Sequence, residues 1–198
     1  MTRVAIGIPS FDLVHADFAM SLALLAHAAK DLDLVFLNGK NSIVSTARNQ
    51  IVRAAQELEA EWLLFLDSDL IFPPDTLKRL LAHSHDIVGA TYRRRTAPND
   101  MLGATLRPEA GDYESGLVEM SYIPTGCLLV RLTVFEKFSS PVFRFAVDEE
   151  RGETIGEDYL FSTEARQYGH RLWCDIDLSK SLGHIGQVVW RSHCPPHH

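Results

Sequence analysis

Cysteine and basic residues are scarce in this sequence. It has three cysteines, Cys127, Cys174 and Cys194, all isolated and without a CxxC pair. An odd number of isolated cysteines does not build a disulfide framework, so we expect a reducing, cytoplasmic location. The formal net charge is −7. Bulk binding to nucleic acid or to anionic membranes needs an excess of Lys and Arg, so neither kind of partner is expected.

Long apolar runs and repeats are also missing. The longest apolar stretch near the N-terminus, FAMSLALLAHAA, is too short to span a bilayer, and acidic residues precede it. We therefore expect neither a signal peptide nor membrane insertion. A sequence of 198 residues without a repeat period or low-complexity tracts predicts one domain over residues 1–190 and a frayed tail at 191–198.

The first 95 residues alternate short apolar runs with segments of helical length. RVAIGIP, LDLVFLN, EWLLFLD and DIVGATY are predicted strands, and ADFAMSLALLAHAAK is predicted to be a buried helix because apolar residues cover most of its faces. This alternation predicts βαβ units and a mainly parallel central sheet in a Rossmann-like, three-layer α/β/α fold. After residue 95, short strands separated by Gly and Pro predict a mixed or antiparallel extension of the same sheet.

Asp67 and Asp69 interrupt the apolar stretch WLLFLDSDLIFPP at the end of the third predicted strand. An ionised carboxylate is costly to bury, so this pair must face water, a cation or hydrogen-bond donors. Two carboxylates that are one residue apart beyond a strand suit Mg²⁺ or Mn²⁺. The alternative is an Asx-turn, in which an aspartate accepts hydrogen bonds from nearby loop amides.

Two later segments carry groups with possible chemical roles. Glu157 and Asp158 follow Gly156 in the predicted first turn of a helix. Stabilisation by the helix dipole, worth about 0.3–1 kcal/mol, explains one acid there, whereas an adjacent pair facing a cleft also offers a general base. His184 lies between glycines in SLGHIG. Most lone histidines are surface or core residues, but imidazole is also a ligand for Mn²⁺ and similar ions.

Seven segments in order resemble a small nucleotide-sugar-dependent glycosyltransferase of the GT-A fold, close to family 2. They are IGIPSF, STARNQIV, LLFLDSDLIFPPDTLKRLL, IVGATYRRR, PTGCLLVRLTVFEKF, GEDYLF and HIG. The resemblance implies a nucleotide-binding half at residues 1–95 and an acceptor and catalytic half at 96–190. It also implies a UDP- or GDP-type sugar donor, an acceptor hydroxyl of unknown origin, and Mn²⁺ or Mg²⁺ as cofactor.

The resemblance assigns roles to individual residues. Asp67 and Asp69 match the DxD motif of the family, with Asp69 the stronger metal ligand and Asp67 nearer the ribose, and His184 completes the metal site. Asp158 is implied as the base of an inverting transfer, with Glu157 binding the acceptor or supporting Asp158. The resemblance also implies contacts with the nucleotide sugar for Pro9, Ser10, Phe11, Arg48, Ser68, Thr125 and Gly126. Asn49 is a weaker candidate for the same role.

Three alternatives use the same features. FLDSDLIF resembles the first motif of haloacid-dehalogenase-like phosphatases, but that motif belongs on a first strand and has Thr or Val where Ile71 stands here. A nucleotidyltransferase needs a glycine-rich, basic loop after RVAIGIP, which the sequence lacks. A catalytically silent nucleotide-sugar-binding protein needs metal ligands but no base, so the presence of Asp158 weighs against it.

Asn38 leaves the donor nucleotide open, and the three arginines after the fourth predicted strand are not assigned to the site. Asn38 ends the second predicted strand, where many uridine-using relatives carry an acid, so both UDP and GDP donors are compatible with the sequence. Arg93, Arg94 and Arg95 fall where related enzymes carry a loop over the diphosphate, but three adjacent basic residues are typical of a solvated surface patch.

Overall fold

The computed structural model describes residues 1–95, 101–105 and 114–186. The predicted tail at 191–198 and parts of the predicted second half lie outside these residues. The strands are β1 (Arg3–Ser10), β2 (Asp33–Lys40), β3 (Trp62–Leu66), β4 (Leu70–Ile71), β5 (Ile87–Gly89), β6 (Ala104–Thr105), β7 (Leu117–Tyr122), β8 (Cys127–Arg131), β9 (Ala146–Asp148), β10 (Glu153–Ile155), β11 (Leu172–Asp175) and β12 (Gly183–His184). The helices are α1 (Ala16–Ala28), α2 (Val44–Glu57), α3 (Thr76–Ala82), α4 (Glu157–Gln167) and α5 (Ile176–Ser179), and a 3₁₀ turn spans Leu132–Lys137. None of the helices in the described ranges has the length and apolar character needed to cross a membrane.

Eight of the strands form one mixed sheet in the spatial order β2-β1-β3-β8-β5-β11-β7-β6. The strands β1, β2 and β3 are parallel, and β8 lies antiparallel between β3 and β5. Strand β11 is parallel to β5, and β7 is antiparallel to both β11 and β6. All strands of the sheet except β7 and β8 therefore point the same way, which confirms the predicted mainly parallel sheet with a mixed second half.

Helices cover both faces of the sheet, because neighbouring residues of a strand point to opposite sides. In β3, Leu63 and Phe65 pack in a core with residues of α2 and α4. Trp62, Leu64 and Leu66 pack in a second core with residues of α1, α3 and α5. The predicted three-layer α/β/α arrangement is therefore confirmed. Burial on both faces also explains why the strand reads as a continuous apolar run.

Helix α1 is buried on one face only, so the prediction of a buried helix is wrong for its outer half. Phe18, Ser21 and Leu25 are buried at helical spacing, whereas Met20 and Leu24 are 62% and 50% exposed. A helix lying on a sheet covers it with one stripe of side chains, whatever the composition of its other faces.

Two short antiparallel pairs lie next to the main sheet. Strands β4 and β12 pair so that Leu70 lies opposite His184. Strands β9 and β10 form a hairpin that ends at Ile155, two residues before Glu157 begins α4. The β4–β12 pair follows directly from the carboxyl end of β3, which is the edge where sheets of this kind bind ligands.

Candidate active site

The acidic pair lies in the tight loop between β3 and β4. The Asp67 N–H donates to the Gly126 carbonyl at 2.9 Å. The Asp67 side chain accepts a hydrogen bond from Arg48 at 2.8 Å, and the Asp69 side chain accepts one from Arg95 at 2.7 Å. The loop therefore presents both carboxylates to cationic side chains, as expected for a pair that faces positive charge.

Arg48, in the first half of α2, joins two acidic segments that are far apart in sequence. Its Nη2 donates to Asp67 Oδ1 and its Nη1 to Glu157 Oε1. The residue is only 3% exposed, and its Nε has no partner among the described residues. Burial lowers the pKa of Arg48, but the carboxylates of Asp67 and Glu157 outweigh burial and raise it. Arg48 is therefore a permanently charged bridge between the loop after β3 and the start of α4.

The two acids at the start of α4 have different environments. Glu157 is buried against Arg48, and burial raises the pKa of Glu157 although the guanidinium opposes this. Asp158 is partly exposed, and its Oδ2 accepts from the Tyr122 hydroxyl at 2.6 Å while its Oδ1 accepts from the Tyr159 N–H at 2.8 Å. Burial raises the pKa of Tyr122, and Asp158 raises it further, so the phenol keeps its proton and donates it. Asp158 is therefore the acid of the pair that keeps contact with solvent.

Pairing of β12 with β4 brings His184 to Asp69. His184 Nε2 lies 3.6 Å from Asp69 Oδ2, and His184 Nδ1 lies 2.8 Å from the Arg93 carbonyl. A carbonyl only accepts, so Nδ1 carries a proton and Nε2 faces the carboxylate. Burial lowers the pKa of His184, but the contacts with Asp69 and the Arg93 carbonyl raise it overall. Burial raises the pKa of Asp69, but His184 and Arg95 lower it overall, which favours an ionised carboxylate.

Asp69 and His184 fit a divalent cation by their donor chemistry, since a carboxylate oxygen and an imidazole nitrogen both suit Mn²⁺. The position of the Arg95 guanidinium shows that Asp69 already faces a positive charge. Asp67 faces Arg48 instead, and the described ranges contain no group of three or more His, Cys, Asp or Glu side chains arranged to hold a metal. Asp67 as a direct metal ligand therefore stays a prediction.

An open cleft of about 240 Å³ lies beside the acidic loop. Phe11 is 65% exposed at one side of the cleft, and the Ser10 hydroxyl donates to Asn38 Oδ1 at 3.2 Å. The cleft thus brings Pro9, Ser10 and Phe11, which the resemblance implies at the nucleotide sugar, together with the loop that carries Asp67 and Asp69. Its lining residues are Pro9, Ser10, Phe11, Asn41, Ser42, Val44, Ala47, Asp67, Ser68 and Asp69.

Gly126 occupies a position where a side chain does not fit. A Cβ at this position would overlap the Tyr92 hydroxyl and lie 2.7 Å from Asp67 Oδ2. Tyr92 is buried and packs edge-on against His184, with ring centroids 4.9 Å apart. The neighbouring Thr125 is also buried. Gly126 therefore lies against Tyr92 and Asp67, and its implied contact with the nucleotide sugar stays a prediction.

We expect Gly126→Ala to destabilise the fold by about 1–3 kcal/mol, the range for forcing an extra methyl group into a packed site. The methyl group would displace Tyr92 or Asp67, the side chains that it would overlap. Urea unfolding measures the change in the free energy of unfolding. Gly186→Ala is a matched control, because a Cβ at Gly186 meets its nearest neighbours at 3.7 Å. Equal stability of Gly126→Ala and Gly186→Ala would contradict the proposed crowding.

Asn49, the weaker candidate at the nucleotide sugar, contacts Phe143 and is not among the residues that line the cleft. Its amide donates to the Phe143 carbonyl at 2.7 Å and accepts from the Phe143 N–H at 2.9 Å. A side-chain amide that satisfies both backbone groups of one residue fixes the segment after the 3₁₀ turn against α2. Asn49 is therefore structural, whereas its neighbour Arg48 reaches the acidic loop.

Two contacts of the site have no clear signal in the sequence. Arg95, interpreted as part of a solvated patch, pairs with Asp69 although its side chain is about half exposed. Tyr122 holds Asp158 across 36 residues of sequence. Partners at such separations follow from tertiary structure, and no local spacing rule identifies them.

Comparisons with known proteins agree with this arrangement. The family model described as glycosyl transferase family 2 matches residues 23–138, more than half of the chain. No curated protein sequence shows a significant match. The crystal structure of A197 from STIV is similar over 100% of both chains, with 17% identity and a TM-score of 0.61. The crystal structure of GalNAc-T7 with UDP, GalNAc and Mn²⁺ is similar over 98% of this chain and 45% of that chain, with 11% identity and a TM-score of 0.58. These likenesses show a shared fold and confirm the GT-A-like architecture.

Proposed function

The chain belongs to glycosyl transferase family 2, and we propose that it is a metal-dependent enzyme that transfers a sugar from a nucleoside diphosphate sugar to an acceptor hydroxyl, with inversion. One observation carries the proposal: Arg48 contacts both Asp67 and Glu157. Asp67 is two residues before the proposed metal ligand Asp69, and Glu157 directly precedes the proposed base Asp158. The bridge supports the proposal because it joins the loop that carries the proposed metal ligand to the helix start that carries the proposed base.

The donor is proposed to bind in the cleft beside the acidic loop. Phe11 offers an exposed aromatic face for the base, and the carboxylates after β3 line the same cleft, where the diphosphate is proposed to bind. GalNAc-T7 was crystallised with UDP, which supports a UDP-type donor here. GDP is the alternative, because Asn38 places an amide and no acid beside Ser10.

Asp69 and His184 are proposed as the protein ligands of Mn²⁺ or Mg²⁺. Bound there, the cation would offset the negative charge that grows on the departing diphosphate without any proton transfer. The Arg93 carbonyl holds Nδ1 of His184, so Nε2 stays directed toward Asp69. Arg95 adds a flexible positive charge at the same carboxylate. GalNAc-T7 was crystallised with Mn²⁺, which supports a divalent metal cofactor here.

Asp158 is proposed as the general base. The acceptor oxygen forms a bond to the anomeric carbon as the bond to the diphosphate oxygen breaks, and the acceptor proton passes to the Asp158 carboxylate. Attack from the face opposite the leaving group inverts the anomeric configuration. Tyr122 and the Tyr159 N–H hold the carboxylate in place. Glu157 is engaged by Arg48, so it supports the site and does not take the proton.

A panel of nucleoside diphosphates, with and without Mn²⁺, tests the proposed donor and metal. Ligand binding to the folded state raises the melting temperature, so one diphosphate should do so strongly and only with the cation. Nucleotide sugars of that diphosphate should then be hydrolysed or transferred, and NMR of the product gives its anomeric configuration. Tight binding without turnover across the donor panel would favour the catalytically silent alternative.

We expect Asp69→Asn to lower Mn²⁺-dependent nucleotide affinity at least about tenfold, which corresponds to about 1.4 kcal/mol. An amide is a much weaker ligand for a hard cation than a carboxylate is. Isothermal titration with and without Mn²⁺ separates the metal-dependent part of the affinity. Asp75→Asn is the control, because Asp75 is exposed and its side chain makes no capping hydrogen bond to α3. Unchanged Mn²⁺ dependence in Asp69→Asn would remove Asp69 from the metal site.

A further inference from the structure

Two tyrosines lie next to Asp158, since Tyr122 donates a hydrogen bond to it and Tyr159 follows it in α4. Successive residues of an α-helix are about 100° apart, so Tyr159 lies roughly 200° around α4 from Glu157. Glu157 faces Arg48. Asp158 lies between Glu157 and Tyr159 around the helix. The Tyr122 hydroxyl reaches Asp158 at 2.6 Å, and its ring centroid is 5.5 Å from that of Tyr159. Both rings therefore lie beside the carboxylate that the proposed function makes the base.

We infer that Tyr122, Asp158 and Tyr159 form the acceptor subsite and that the acceptor it takes is a saccharide. The inference rests on the proposed function, because Asp158 has a role toward an acceptor only if it is the base. Single exposed aromatic residues are common and carry no function by themselves. Here Tyr159, which is 51% exposed, directly follows the proposed base Asp158 in sequence. Its ring packs against the ring of Tyr122, whose hydroxyl donates a hydrogen bond to Asp158.

A sugar ring matches this geometry better than other hydroxyl-bearing acceptors do. A pyranose has an apolar face of C–H groups, which packs on an aromatic face, and hydroxyl groups at its edge. Packing of that apolar face on Tyr159 would direct an edge hydroxyl toward the neighbouring Asp158. The half-exposed ring supplies the face, and the carboxylate supplies the proton acceptor.

Lipid and peptide acceptors fit less well. An acyl chain needs an apolar cavity, whereas Tyr159 is 51% exposed and Tyr122 is partly exposed. An extended peptide binds by adding a strand to a free sheet edge. Tyr122 lies on β7, which is already paired on both sides, with β11 and with β6.

The test uses the full chain with Mn²⁺ and the donor that it hydrolyses, and measures transfer to added acceptors relative to transfer to water. Mono- and oligosaccharides, a Ser/Thr peptide and a polyprenyl phosphate are offered in turn. We expect transfer to at least one saccharide and to neither other class. In Tyr159→Ala the ratio of transfer to hydrolysis should fall about tenfold, because the stacking face is lost. Tyr159→Phe, which keeps the ring, should retain the ratio.

Tyr168→Ala is the matched control, because Tyr168 is an exposed tyrosine that caps the far end of the same helix. It should leave the ratio of transfer to hydrolysis unchanged. A wild-type ratio of transfer to hydrolysis in Tyr159→Ala would overturn the inference, and so would transfer to the peptide or the polyprenyl phosphate alone. In both cases, hydrolysis of the donor would still uphold the proposed function. Failure of every donor to be bound or hydrolysed would instead remove the proposed function, and the acceptor subsite with it.

Discussion

Asp158→Asn is expected to lower kcat for sugar transfer about 10²–10⁴-fold while nucleotide binding persists. An amide cannot take the proton of the acceptor hydroxyl, so the loss falls on the chemical step. The substitution preserves shape, and the new Oδ1 can still accept the hydrogen bond that Tyr122 now gives to Asp158. Release of nucleoside diphosphate under saturating donor measures kcat, and titration of the same diphosphate measures binding.

A control acid and a second variant assign this loss to one carboxylate. Glu153→Gln, in the exposed hairpin before α4, removes an acid that faces solvent and should leave kcat unchanged. Glu157→Gln should weaken the contact with Arg48 and lower the free energy of unfolding. Its loss of kcat should be smaller than that of Asp158→Asn. Retention of more than about a tenth of the activity in Asp158→Asn would contradict its role as base. Equal loss of nucleotide affinity in Asp158→Asn and Asp69→Asn would contradict the division of roles between the two acids.

The layered fold could be predicted because burial on both faces leaves a local signal. The strands β1 and β3 read as unbroken apolar runs, and α2 repeats its apolar residues at helical spacing. The insertion of β8 antiparallel between β3 and β5 could not be predicted, since the pairing joins Leu66 to Cys127 across 61 positions. A run such as CLLVR indicates a central strand but does not indicate its neighbours.

Within the site, the charged motifs could be predicted and their partners could not. Asp67, Asp69 and Asp158 stand out because carboxylates beside apolar strands or at helix starts are expensive unless they are paired. The contacts of Tyr122 with Asp158 and of Asn49 with Phe143 span 36 and 94 residues. The sequence also could not distinguish an Arg48 that binds phosphate from one that binds carboxylates. Both choices satisfy the same guanidinium, and only the approach of α4 to α2 decides between them.

Arg48→Met is expected to destabilise the protein by roughly 3 kcal/mol, the lower end of the range for removing one partner of a buried ion pair. The methionine fills similar space but leaves the carboxylates of Asp67 and Glu157 without their shared cation. Glu157 is buried, whereas the Asp67 side chain keeps 25% of its surface exposed and can recover some hydration. The free energy of unfolding from urea denaturation measures the change.

Arg3→Met is the matched control for this prediction, because Arg3 forms a surface ion pair with Asp33 at 2.7 Å and should change stability by no more than about 1 kcal/mol. Arg48→Met should also lower turnover more than nucleotide affinity, since the bridge positions the start of α4 relative to the acidic loop. A near-normal stability of Arg48→Met combined with a large loss of nucleotide affinity would contradict this prediction. In that case Arg48 would leave its carboxylates to bind the diphosphate when the donor enters, which is compatible with the position at the nucleotide sugar that the resemblance implies.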